Sequence, residues 1–200
     1  MTTVRFQATP SQATPSQATP SQATPSQATP SQTIGPFFGY ALPYASGPLV
    51  VPECHPDAIR IHGRVLDGAG EPLPDALVEI WQAGPDGEVP DAVGAIDRDG
   101  RDFSGFGRCA TDAGGGYWFS TLKPGGPAPH IAVLVFARGL LRPVATRLYF
   151  PGEPGNEADP LLAAVPEGRR DTLVALREDV RSYRFNVHLQ GEQETVFLAS

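Results

Sequence analysis

The sequence predicts an all-β sandwich, and three observations lead to it. Turn-forming pairs such as Asp67-Gly68, Asp86-Gly87 and Pro151-Gly152 recur at short intervals after residue 55. The runs between these turns alternate apolar and polar side chains, as half-buried strands do. A single segment, residues 167–179, has helical periodicity. Short strands, frequent turns and one late helix are typical of two packed β-sheets.

The first 32 residues are predicted to form a low-complexity arm that is disordered and lies outside the folded domain. Five copies of Gln-Ala-Thr-Pro-Ser occupy residues 7–31. The repeat has no apolar side chain larger than alanine, so it cannot bury enough surface to offset its ordering entropy. Its regular prolines favour polyproline II or coil. Residues 33–57 then lead into a β-sandwich domain over 58–200.

The predicted strands follow one another through the domain. Residues 58–67 alternate Ile59, Ile61 and Val65 with polar side chains, and residues 183–190 alternate even more regularly. Residues 130–137 are apolar on both faces, which indicates a central strand. The full set of predicted strands is 58–67, 76–83, 117–122, 130–137, 146–150, 183–190 and 194–199.

One short helix is predicted over residues 167–179. Leu173, Leu176 and Val180 fall at positions i, i+3 and i+7, and charged residues occupy the rest of the wheel. This spacing would give the helix one apolar stripe for the core.

Composition excludes several classes of function. The net charge of −7 argues against nucleic acid or an anionic membrane surface as a partner. The sequence has neither a run of 18 apolar residues nor the apolar stretch of a secretory signal, so we expect a cytoplasmic protein. Cys54 and Cys109 lack paired metal spacing and are expected to be reduced thiols.

The four histidines do not by themselves define a site. His62 and His188 lie on the polar faces of predicted strands, and His55 follows Cys54 in a loop. His130 begins the most apolar strand, where it is either a metal ligand or a strand-end histidine with its own hydrogen bond. Glycine-rich phosphate loops and nucleophile elbows are missing from the sequence. The residue pattern alone therefore identifies no active site.

Residues 61–83 resemble the signature of the intradiol ring-cleaving dioxygenases, which are non-haem ferric enzymes that open catechol rings. The resemblance continues in the right order through residues 107–125, 129–131, 147–150 and 183–185. It implies an immunoglobulin/transthyretin-like β-sandwich and an oxidoreductase of aromatic catabolism, in the route towards β-ketoadipate. It also implies Fe(III) as cofactor and O2 as a substrate.

The chain departs from the family at the iron ligands, which are two tyrosines and two histidines. The family's His-x-His pair reads His130-Ile131-Ala132 here, and Val89 stands where the first tyrosine is expected. The second tyrosine is lost with a shortened loop after Gly125. Val89, His130 and Ala132 are therefore vestigial metal-site positions. The resemblance implies that this chain holds no metal and no catalytic residue of its own, and that an iron-bearing partner chain completes a hetero-oligomer.

The resemblance also implies a contribution to the partner's substrate pocket. The matching positions in segment 33–57 are Thr33, Gly35, Pro36 and Phe37, where Phe37 replaces a tyrosine common in relatives and lacks its hydroxyl. The remaining position is Arg138, which suits an aromatic carboxylate. If the strand is unbroken, His130 and Arg138 share a face roughly 26 Å apart, so they would belong to separate sites.

Two other functions stay open at this point. A self-sufficient iron dioxygenase would need phenolates from among Tyr40, Tyr44, Tyr117, Tyr149 and Tyr183. A stand-alone binding module of the transthyretin-like type would have no dioxygenase partner.

The repeat itself is expected to be dispensable. Its copies look like duplications of the Thr-Pro-Ser-Gln half of residues 29–37, and none carries the Ile-Gly-Pro-Phe that follows. Deleting residues 7–26 should leave assembly with a partner chain and turnover unchanged, as measured by size-exclusion chromatography and oxygen uptake. A large loss of either would show that the repeat is functional.

Overall fold

The computed structural model describes residues 33–90 and 103–198, which build a sandwich of two β-sheets. One sheet has the strand order β4-β1-β8-β7, with β9 also paired to β1, and the other has the order β3-β2-β5-β6. The strands in the described part of the chain are β1 (Ile59–Leu66), β2 (Leu77–Trp81), β3 (Phe106–Ala110), β4 (Gly116–Thr121), β5 (His130–Phe136), β6 (Val144–Tyr149), β7 (Leu176–Asp179), β8 (Ser182–Arg184) and β9 (Val187–His188).

The core lies between the two sheets and comes from every second residue of the central strands. Strand β1 buries Ile61 and Val65, and β5 buries Ile131, Val133 and Val135. Removing each large aliphatic side chain from water contributes about 1.5–3 kcal/mol, and the alternation places all of these residues on the inner faces. The predicted all-β sandwich is confirmed.

Five of the predicted strands, those at 58–67, 76–83, 117–122, 130–137 and 146–150, are present with ends shifted by at most a few residues. Strand β3 was not predicted. Its residues Phe106 and Gly107 are both buried, and Gly107 packs closely against Phe119 and Ile80, so the run shows no alternation. In the described residues, no helix is long and apolar enough to cross a membrane.

The prediction of one strand over residues 183–190 is wrong, because the ladder is interrupted between β8 and β9. Both pieces pair with β1 in the same parallel register, Ile61 with Tyr183 and Val65 with Val187. Between them the Phe185 carbonyl accepts a hydrogen bond from the Tyr117 hydroxyl (2.5 Å), and the Arg64 amide donates to the Asn186 side chain (3.1 Å). The Phe185 amide still donates to the His62 carbonyl (2.8 Å), so side chains replace one ladder bond by satisfying the Arg64 amide and the Phe185 carbonyl separately.

The predicted helix over residues 167–179 is also wrong in its second half. Only α3 (Glu167–Arg170) is α-helical; a 3-10 turn (Asp171–Leu173) follows, and Leu176 begins β7. Leu173 is fully buried, but Leu176 and Val180 are 55% and 70% exposed, so the three residues do not share one face.

The structure also differs from the prediction at two short helices and in the C-terminal region. Helices α1 (Phe38–Ala41) and α2 (Pro160–Ala164) were not predicted. The strand expected at 194–199 is not formed in its described part, residues 194–198, where only Leu198 makes an isolated bridge, to Ala145. The predicted arm over residues 1–32 lies outside the described residues.

The hydroxyl of Tyr117 offers a test of how the two sheet segments are joined. Tyr117→Phe leaves the Phe185 carbonyl without this partner, so we expect a loss of about 1–3 kcal/mol in the free energy of unfolding. Urea denaturation at neutral pH measures it, with Tyr40→Phe, at an 87% exposed position, as the control. Equal stability of the Tyr117 variant and the wild type would contradict the assigned bond.

Burial also raises the pKa of Tyr117 well above its usual range. Its phenol therefore stays neutral in the folded chain while the unfolded chain ionises above about pH 10, so this residue makes stability fall as pH rises. The free energy of unfolding of the Tyr117→Phe variant should therefore fall less steeply above about pH 10 than that of the wild type.

Candidate functional site

Arg108 fixes the first part of segment 33–57, up to Gly47, to the outer face of the second sheet, whereas Leu49 and Val51 pair with Ser120 of the first sheet. The Arg108 guanidinium forms an ion pair with Glu79 (2.6 Å) and donates to the carbonyl of Leu42 (2.8 Å). The Arg108 amide donates to the Gly47 carbonyl, and the guanidinium lies 5.6 Å from the Tyr44 ring centre. These contacts hold the segment against strands β2 and β3.

Helix α1 continues this attachment towards the end of β5. Phe38 is buried, with its ring 5.9 Å from that of Phe136, and the Ile34 amide donates to the Leu140 carbonyl (2.8 Å). Between the helix and the sheet lies a cavity of about 400 Å³, here called the Arg138 cavity. It is lined by Pro36, Phe38, Gly39, Tyr40, Pro74, Asp75, Ala76, Ala110, Thr111 and Arg138.

Arg138 is the cationic side chain of this cavity. It follows β5 in a turn, is 67% exposed, and its Nε forms an ion pair with Asp75 Oδ2. The Tyr40 ring is 87% exposed at the same cavity. A guanidinium beside aromatic and proline surface can take an aromatic carboxylate by charge-assisted hydrogen bonds and ring contact.

The structure brings only some of the predicted substrate-binding residues to this cavity. Pro36 and Arg138 line it. Thr33 and Gly35 lie just before it, where the Thr33 hydroxyl accepts from the Gly35 amide (3.3 Å), and Gly35 adopts a positive φ of 73°. Phe37 is 79% exposed and does not line the cavity.

Sequence reasoning missed Phe38, Tyr40 and Asp75 at this cavity. Phe38 and Tyr40 lie within segment 33–57, shortly after the predicted residue Phe37, which was a weak signal. No local pattern connects Asp75 with Arg138, because only the fold brings these two loops together.

Two of the three positions expected to be vestigial metal-site positions line a second cavity of about 420 Å³, here called the His130 cavity. His130 and Val89 line it, and Val89 is 79% exposed. Ala132 lies two residues further along β5, exposed and paired with Trp81 and Arg147. The His130 Nδ1 is hydrogen-bonded to the Ala128 carbonyl (2.9 Å), which occupies one of its two ring nitrogens.

A hydrogen-bonded group borders the His130 cavity. The Tyr149 ring lies 5.5 Å from that of His130, and its hydroxyl donates to Asp159 (3.0 Å). Burial raises the pKa of Tyr149, an effect that the Arg147 contact only partly offsets. Burial also tends to raise the pKa of Asp159, but hydrogen bonds from Leu162, Tyr149 and Leu161 hold it below its usual value.

These residues do not fit a ferric ion. Valine and alanine offer no ligand atom at two of the family positions, and among residues 33–90 and 103–198 no group of three or more His, Cys, Asp or Glu side chains could hold a metal. The other tyrosines lie elsewhere: Tyr117 is bonded to Phe185 and Tyr183 packs on Phe150. Tyr149 is neutral and already hydrogen-bonded.

Strand β5 ends at Phe136, so the expected unbroken strand from His130 to Arg138 is wrong. The roughly 26 Å separation drawn from an unbroken strand therefore does not apply. The separation of sites follows instead from the cavities, since His130 and Arg138 line different ones. Of the other histidines, His62 is paired with Glu178 (2.9 Å) rather than simply solvated.

Comparison with known proteins gives consistent matches. A family model described as "Dioxygenase" matches residues 34–129. The chain is 38% identical to a protocatechuate 3,4-dioxygenase alpha chain of Burkholderia cepacia over 82% of this chain and 93% of the relative. It is 35% identical to a beta chain of that enzyme from the same species, over 70% of this chain and 67% of the relative.

A solved structure agrees with these matches. The dioxygenase domain of a dioxygenase–carbohydrate-binding protein fusion from Streptomyces sp. SirexAA-E superposes with a TM-score of 0.55 and 28% identity. The match covers 72% of this chain and 87% of that domain.

Asp159 gives a test of the group beside the His130 cavity. One of its oxygens accepts from the amides of Leu161 and Leu162 and from Tyr149. Asp159→Ala should therefore lower the free energy of unfolding by about 1–2 kcal/mol, as for loss of a helix N-cap. Asp159→Asn, which keeps an oxygen acceptor, should lose less; chemical denaturation measures both.

The pH dependence of stability distinguishes the effect of the Asp159 charge from the effect of its hydrogen bonds as a helix cap. Because the folded-state pKa of Asp159 is depressed, its carboxylate contributes stability above the unfolded value near pH 4, which is lost as pH falls through the folded value. The wild type and the Asn variant should thus approach each other in stability on acidification. A constant difference across that range would contradict a stabilising charge.

Proposed function

The chain belongs to the intradiol ring-cleaving dioxygenases, and within that family we propose that it serves as the α subunit of a protocatechuate 3,4-dioxygenase. Its identity to an alpha chain is spread over 93% of that relative, against 67% for the beta chain. In this proposal an iron-bearing β subunit completes the enzyme. Together they cleave protocatechuate with O2 to 3-carboxy-cis,cis-muconate in the β-ketoadipate pathway.

The observation that carries the proposal is the contrast between the two cavities. Family members use non-haem ferric iron, but the position where a catalytic chain would hold it has Val89 and Ala132. The Arg138 cavity, by comparison, has an exposed cation and an aromatic wall. A chain that cannot hold the metal but presents a substrate-sized cavity fits a subunit that helps bind substrate for a partner.

The chemistry of the Arg138 cavity suits protocatechuate, which is a catechol with a carboxylate. Arg138 is proposed to hold the carboxylate, since charge-assisted hydrogen bonds to guanidinium are strong and directional. Pro36 would contact the ring, and Thr33, Gly35 and Phe37 would complete the wall when the partner covers this segment. This chain then binds and orients the substrate, while the metal chemistry belongs to the partner.

Exposed apolar side chains on the same side of the sandwich support a partner chain. Phe37, Tyr40 and Val89 are each at least 79% exposed, and Trp81 is 52% exposed. Large aromatic groups in water at this density are typical of an interface. They lie at both cavities or directly beside them, so the β subunit is proposed to cover both.

Purification with and without a β subunit tests the proposal. The β chain should be a family member that carries both tyrosines and an intact His-x-His pair. We expect a stable complex that contains iron and consumes O2 with protocatechuate. This chain alone should contain no stoichiometric iron, show no tyrosinate-to-iron absorption and have no turnover.

Two results would overturn the proposal, and each favours a different alternative. Stoichiometric iron with tyrosinate absorption in the isolated chain would indicate a self-sufficient dioxygenase. Failure to form any complex with β chains would favour the stand-alone transthyretin-like module. Iron content, the visible spectrum and size-exclusion chromatography on the same preparations distinguish the outcomes.

A further inference from the structure

We propose that Asp75 is a positioning residue that holds Arg138 in place to receive a carboxylate of the substrate. This inference rests on the proposed function, because it concerns the same cavity. It starts from the ion pair between Arg138 Nε and Asp75 Oδ2. Both residues line the Arg138 cavity, and each comes from a different loop.

Asp75 is held by a rigid stretch of backbone. Pro74 precedes it and restricts the chain, and Ala76 after it is buried. The Ala76 amide donates to the Thr111 hydroxyl (2.9 Å), and that hydroxyl donates to the Leu73 carbonyl (2.7 Å). The Thr111 amide in turn donates to the Ala76 carbonyl (2.9 Å). The backbone is therefore fixed on both sides of Asp75, which limits where its carboxylate can lie.

The backbone of Arg138 is held in its turn by the bond from the Leu140 amide to the Ala137 carbonyl (3.3 Å), but its long side chain extends beyond this support. Arg138 lies in the turn after β5, next to Gly139 with a φ of 88°, and its side chain is 67% exposed. Among the residues that the structure describes, Asp75 is its only ion-pair partner. A free arginine of this kind loses much rotamer entropy when it binds a ligand, and a fixed carboxylate removes part of that cost beforehand.

The edge that Asp75 contacts leaves the other edge of the guanidinium available. Asp75 approaches Nε, whereas Nη1 and Nη2 have no hydrogen-bond partner among residues 33–90 and 103–198. A guanidinium has five N–H donors in a planar fork, so it can bind two carboxylates at once, one on each edge. Asp75 therefore orients Arg138 through one edge of the guanidinium and leaves the other edge open to a carboxylate of the substrate.

A competing role for Asp75 predicts the opposite effect. If Asp75 mainly neutralised Arg138, its removal would free the cation and tighten the binding of a carboxylated substrate. If it positions Arg138, its removal weakens that binding. The sign of the change in KM therefore decides between the two.

The test uses the complete complex of this chain with an iron-bearing β subunit. Asp75→Asn should raise the KM for protocatechuate about three- to tenfold and leave kcat within about twofold, as expected for two residues coupled in one network. The kcat/KM for catechol, which lacks the carboxylate, should stay unchanged. Arg138→Ala should raise the protocatechuate KM at least as much, and adding Asp75→Asn to it should have no further effect.

The matched control is Glu71→Gln, which removes the same charge from an exposed position in the loop between β1 and β2. Asp75→Glu keeps the charge and should recover part of the lost affinity. A lower KM in Asp75→Asn, an equal change with catechol, or a further loss in the Arg138→Ala background would each overturn the inference. If the wild-type complex itself fails to form or to turn over protocatechuate, the proposed function fails instead.

Discussion

The ion pair between Arg108 and Glu79 is the contact on which the candidate site depends. Both side chains lie on the outer face of the second sheet, yet they are only 14% and 9% exposed because the N-terminal segment covers them. The desolvation penalty of burying two charges offsets much of their electrostatic attraction. The pair therefore contributes more to positioning the N-terminal segment than to the free energy of unfolding. The placement is specific, since the same guanidinium also binds the Leu42 carbonyl and fixes helix α1 over the Arg138 cavity.

The two cavities differ in chemistry. At the His130 cavity the polar groups bind one another: Tyr149 binds Asp159, and Asp159 caps α2. At the Arg138 cavity an exposed cation faces apolar and aromatic surface. Polar groups that are already hydrogen-bonded to one another are poor ligands for a metal. A guanidinium with only one edge paired can still bind an anion.

The sequence predicted those features that depend on local alternation. Strands such as β1 and β5 alternate strictly, so their positions and the sandwich were predictable. The break between β8 and β9 was not, because it depends on the Tyr117 hydroxyl, which reaches Phe185 from another strand. The helix was mispredicted because Leu173 and Leu176 are three residues apart but have different environments. Arg138 was proposed from the family resemblance, whereas its partner Asp75 emerged only from the fold.

The same alternation explains how a chain can lose its metal ligands and keep its fold. His130 and Ala132 point to the outer face of β5, while the alternate residues Ile131 and Val133 are buried in the core. A histidine replaced by alanine at position 132 removes a ligand without opening a cavity, because no core contact depends on it. The outer face is therefore free to change its chemistry while the inner face maintains the sandwich. Arg108 and Glu79 lie on that outer face too, where their ion pair holds the N-terminal segment without taking part in the core.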